Sequence, residues 1–78
     1  MVLGYVLVTT APGKEHDVFN IISNVDQVVD IHLLFGEYDI IVKIEADDFD
    51  AVGQIVVEHI RTIEGVIDTK TMTGIDFR

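Results

Sequence analysis

The turn Gly36-Glu37-Tyr38-Asp39 and the pair Thr69 and Thr71 hold groups suited to hydrogen-bonding a small polar molecule. A glycine at 36 lets a ligand approach the backbone closely and leaves amide groups free to hold an anion such as a carboxylate. Asp39, at the base of the turn, can accept bonds from a cationic ammonium, and charge-assisted bonds are the stronger kind. Thr69 and Thr71 stand two apart on an expected strand, so their hydroxyls point to one face. Tyr38 can wall a pocket or donate through its hydroxyl. Each position also has a purely structural reading. Gly36 and Asp39 are ordinary turn residues, Tyr38 follows the alternation of a core strand, and threonine suits strands for its β-branching.

Other reactive residues form no constellation. His16, His32 and His59 fall on three different expected elements with no short-range pair, so no metal site is expected. His59 reads as a partly buried packing residue, and His32 shares a strand face with Asp30. Asp47, Asp48 and Asp50 are dense, but helix capping explains them, and a calcium loop needs more ligands at defined spacing. No Ser-His-Asp or Cys-His order can be assembled, and the glycines are isolated, so no phosphate loop is present. Neither an enzyme nor a cofactor is expected.

The elements that position these residues must fit in 78 residues, enough for one domain spanning 1–78. A chain this short buries only about 60–65 % of the surface its unfolded form exposes. Without cysteine, disulfides are excluded, and self-association is the expected remedy. The formal charge is −9, and the five basic residues are scattered. Such a surface suits neither a phosphate backbone nor an anionic membrane. No apolar run reaches the ~20 residues a membrane span needs, and the apolar N-terminus reads as a strand, so a cytoplasmic location is expected.

Val2 to Thr10 is β-branched and apolar, which predicts a strand. After Ala11-Pro12-Gly13, helical spacing of Val18, Ile21, Ile22 and Val25 predicts a helix over 14–23, with Asn24 as a left-handed terminator. Gln27 to Phe35 and Asp39 to Ala46 read as strands joined by a tight antiparallel turn. A second helix is expected with Asp47 at its N-cap, a stripe of Phe49, Val52, Val56, His59, Ile60 and Ile63, and Gly65 closing it. A last strand runs from about Val66 to Thr73. Two strand–helix–strand halves, each opening near a glycine and an aromatic, give an α+β ferredoxin-like β-α-β-β-α-β sandwich. Its four-stranded antiparallel sheet should have the order 4-1-3-2, with both helices on one face.

The uncovered sheet face should then be polar, but the alternation makes it apolar too. Leu3, Tyr5 and Leu7 oppose Val2, Val6 and Val8 on the first strand. The second sets Val29, Ile31, Leu33 and Phe35 against Val28 and Leu34, and the third places Ile41 among Asp39, Lys43 and Glu45. A large apolar patch rarely stays exposed on a monomer, so a dimer through this face is expected.

Within this frame, Gly36-Glu37-Tyr38-Asp39-Ile40 resembles the Gly-x-Tyr-Asp signature of the ligand-binding domain of Lrp/AsnC (feast/famine) regulators. Pro12-Gly13, Ile63-Glu64-Gly65-Val66 and Thr69-Lys70-Thr71 are similar to that family at matching places, over essentially the whole chain. The resemblance implies a sensor of a small molecule, an amino acid or related metabolite, bound at the interface between dimers. It implies a homo-oligomer, a dimer or an octamer of four dimers, with Gly36, Glu37, Tyr38, Asp39, Thr69 and Thr71 as ligand-binding residues. Family members carry an N-terminal helix-turn-helix, whereas this sequence starts at the first strand. The expectation is therefore a stand-alone domain that acts in transcription regulation by mixing with full-length relatives, without direct nucleic-acid binding.

Two alternatives share the frame. Dimeric ferredoxin-like barrels host small monooxygenases and isomerases, for which Tyr5 and His32 would be the first candidates. ACT-type amino-acid-binding domains share the strand order. The Gly-Glu-Tyr-Asp turn and the apolar second face favour the first reading.

Overall fold

A run of nine residues rich in Val, Leu and Thr makes β1 (Val2–Thr10), the strand around which the rest assembles. The computed structural model describes residues 1–74. After β1 come α1 (Glu15–Ser23), β2 (Val28–Leu33), β3 (Ile40–Ala46), α2 (Phe49–Ile55) and β4 (Val66–Thr73). The sheet order is β2-β3-β1-β4, the expected 4-1-3-2 seen from its other edge, and every pairing is antiparallel. The α+β ferredoxin-like reading is thus the observed architecture.

Both helices cover one sheet face, α1 against β2 and α2 across β1 and β3. The core between the layers is made by alternate strand residues: Val6 and Val8 on β1, and Ile40, Val42 and Ile44 on β3. Val18 and Ile22 meet them from α1, and Val52, Ile55, Val56 and Ile60 from the second helix. Gly4 lies where α2 crosses β1, and a Cβ there would overlap Val52 Cγ1. The second helix ends at Ile60 with Arg61 as its right-handed C-cap, so Gly65 does not close it as expected; at φ 104° it sits in the turn that leads into β4, a left-handed conformation that glycine tolerates.

Several local expectations are corrected. The N-cap is Asp48, whose carboxylate accepts from the Ala51 amide at 2.8 Å, and not Asp47. Asn24 ends α1 in a right-handed conformation (φ −90°). Phe49 and His59 leave the expected stripe and are exposed. The helix continues from α2 into a π-helical turn, Val56–Ile60, where the wider turn holds one residue more than an α-turn. The buried positions therefore run 52, 55, 56, 60, and His59 rotates to solvent.

On β2, the pairs Val28↔Ile44 and Asp30↔Lys43 leave Val29 as an extra residue in a bulge. A bulge reverses the facing of everything beyond it. Val28 and Ile31 both pack on the core, whereas Val29 is exposed. The expected grouping of Val29 with Ile31 on one face is thus overturned. Asp30 and His32 point to the uncovered side instead, His32 Nε2 lying 3.2 Å from Asp30 Oδ2.

That uncovered side carries Leu3, Tyr5, Leu7 and Ile41, all half-buried, and the more exposed Met72. Asp30, His32, Lys43, Glu45 and Lys70 surround this apolar centre.

Candidate functional site

Chain direction brings four segments to one end of the sheet. β1 finishes there, α1 begins there, the β2–β3 hairpin turns there, and β4 starts there, with the Ala11 amide donating to the Gly65 carbonyl at 2.8 Å. Between the first turn of α1 and the hairpin lies an open groove of about 580 Å³, lined by Glu15, His16, Leu33, Leu34, Phe35, Gly36 and Asp39. That volume falls within the range of small-molecule sites.

The hairpin is held by backbone and side-chain bonds at its base. The Leu34 amide donates to the Asp39 carbonyl at 2.8 Å, and the Asp39 amide to the Val8 carbonyl at 2.9 Å. Asp39 Oδ2 accepts from the Thr10 amide at 2.8 Å and from the Thr10 hydroxyl at 3.2 Å. Thr10 is the buried polar residue of the described chain, and this carboxylate satisfies it. Asp39 thus latches the hairpin to the end of β1. Gly36, at φ 135°, turns the chain in a conformation that a side chain would strain. Among the described residues, the amides of Phe35, Gly36, Glu37 and Tyr38 donate to no protein acceptor. Leu33 and Leu34 are exposed and Phe35 is wholly so, which gives the groove an apolar wall.

Of the residues singled out from the sequence, Gly36 and Asp39 line this groove. Glu37 is exposed and Tyr38 half-buried beside them, outside the lining and outside any strand. Thr69 and Thr71 lie elsewhere. They pair with Val8 and Val6 on β4, so all of β1 stands between them and β3. At ~4.8 Å per strand, Thr69 is about 10 Å from the Ile40 row, and neither threonine belongs to the lining of the groove. Glu15 and His16 were missed as site residues. Their signal is topological: a helix that follows β1 through a short turn must begin at the sheet end where β2 turns into β3.

Tyr5 and His32 line a separate shallow depression of about 190 Å³ on the uncovered sheet face, with Asp30, Ile41 and Lys43. His16, His32 and His59 stay on separate elements, and no cluster of three metal-binding side chains occurs among the described residues. No described helix is long and apolar enough to cross a membrane.

Comparison with known proteins gives these features a setting. A family model described as the Lrp/AsnC ligand binding domain matches residues 3–76. An uncharacterised helix-turn-helix-type transcriptional regulator of Pyrococcus furiosus is 35 % identical over 73 residues, covering 90 % of this chain and 49 % of the relative. The chain therefore spans about half the length of that curated relative. The crystal structure of a hypothetical protein from Pyrococcus horikoshii is 35 % identical with a TM-score of 0.89, covering 99 % of this chain and 93 % of that one. A Neisseria meningitidis transcriptional regulator solved as an L-Met complex superposes with a TM-score of 0.84 at 17 % identity, over 96 % of this chain and 50 % of that one. At that identity the likeness shows the fold alone.

Proposed function

The chain belongs to the Lrp/AsnC ligand-binding domain family, and from this premise we infer that it is a sensing and oligomerisation module for transcription regulation. Its ligand is an amino acid or related metabolite, held at a contact between dimers, and its location is the cytoplasm. The observation that carries this reading is the groove at the hairpin. There, free backbone amides, a conformationally special glycine and an apolar wall converge at an exposed edge of the molecule. A site this open gains enclosure from a second protomer, which suits a ligand shared between chains. Thr69 and Thr71 belong to the reading only if another protomer brings them to the groove. The L-Met complex of the Neisseria regulator supports an amino acid as the ligand class.

The apolar centre of the uncovered sheet face supports a dimer formed sheet to sheet, and an octamer of four such dimers extends it. Association with helix-turn-helix relatives would carry the signal to DNA, and the net charge of −9 disfavours direct contact of this domain with phosphates. Against an enzyme stands the packing itself. The space between helices and sheet, where a barrel enzyme keeps its pocket, is filled by fully buried Val6, Val8, Val18, Ile22, Val42 and Ile60.

The test is light scattering coupled to size exclusion, with thermal melts, across a panel of amino acids. A species larger than a dimer that changes size or melting temperature with one amino acid supports the sensor. A plain dimer indifferent to all of them overturns it and favours the enzyme or a structural partner domain. For the regulatory step, native mass spectrometry with a full-length relative should show mixed species.

A further inference from the structure

Resting on the sensor reading, we propose that Glu15 is the specificity-determining residue of the groove, and that the groove takes the ammonium group of an amino acid whose side chain is apolar. Two carboxylates face the groove, Glu15 and Asp39. Asp39 is the committed one, because its Oδ2 already accepts both the amide and the hydroxyl of buried Thr10. Glu15 is half-buried at the first turn of α1 and makes one long contact, its Oε1 accepting from the Gly13 amide at 3.4 Å. It is therefore the carboxylate free to turn to a ligand cation. Asp39 is a positioning residue that fixes the hairpin against β1.

The rest of the lining sets the ligand class. The groove holds no lysine or arginine, and exposed His16 is the one basic side chain set against its two carboxylates, so a second negative charge on the ligand would be poorly compensated. Leu33, Leu34 and Phe35 offer exposed apolar surface for a side chain to cover. Of the unpaired hairpin amides, those of Phe35 and Gly36 belong to lining residues and can take the ligand carboxylate. An acidic amino acid would set its second carboxylate near Glu15 and Asp39, which disfavours it. An acidic residue in a helix's first turn is favoured by the helix dipole whatever else it does, so stability alone is no test of Glu15.

The deciding experiment is calorimetric titration of the whole protein with L-leucine, L-methionine and L-phenylalanine, and with L-aspartate and L-glutamate. It is run on wild type, Glu15→Gln and Asp39→Asn. The expected result is binding of at least one apolar amino acid and weaker binding of both acidic ones. Glu15→Gln should lose about tenfold or more, the scale of one charge-assisted bond. Asp39→Asn, whose amide oxygen can still accept from Thr10, should lose less than Glu15→Gln does. Preferred binding of L-glutamate or L-aspartate overturns the assignment while leaving the sensor standing. So does an affinity that follows Asp39→Asn and ignores Glu15→Gln. No binding of any amino acid by wild type overturns the sensor reading and this inference with it.

Discussion

Gly4 sits under α2 where the helix crosses β1, so close that a methyl group in its place would meet Val52. Added volume in a packed core forces backbone or rotamer shifts, so Gly4→Ala should cost about 1–3 kcal/mol in urea unfolding. Val52→Ala should remove most of the clash, so a double-mutant cycle between the two is expected to show coupling of about 0.5–3 kcal/mol. From the sequence, Gly4 was merely the start of a repeating unit. A glycine inside a strand says that something comes close, but not what. Asp39 was legible in the same partial way. Its place in the turn followed from its neighbours, whereas its bond to Thr10 depends on β1 pairing with β3, which a turn motif does not encode.

The elements were legible where one period ran unbroken. β1 was read to its exact-length limits of Val2–Thr10, and β3 to within one residue, because both alternate regularly between core and open face. Reading failed where the chain adds a residue. Val29 enters β2 as a bulge and a π turn interrupts the second helix, and beyond each the facing of later side chains changes. Neither insertion has a composition signature, since each replaces one apolar position by another. The correction at the helix start can be measured. Asp48→Ala removes the bond to the Ala51 amide and should cost about 1 kcal/mol, whereas Asp47→Ala, one residue outside, should stay within about 0.5 kcal/mol. Thermal or urea unfolding of both variants decides between them.

For the whole molecule, the sheet's uncovered face is where small size and apolar composition meet. If two copies join there, Leu7→Glu at its centre should give a monomer by light scattering, with a melting temperature lower than wild type's and independent of protein concentration. An unchanged dimer would place the interface elsewhere. The latch between Asp39 and Thr10 has a consequence in time. It joins residues 29 apart, and it can close only after β1, made first, has paired with β3, made much later. Contact-order reasoning places such a closure after the local hairpin and helices have formed. On that reasoning a chain emerging from synthesis is expected to form its helices and its hairpin before it forms the groove. Recognition then belongs to the finished molecule alone, so a ligand would select against every half-made form.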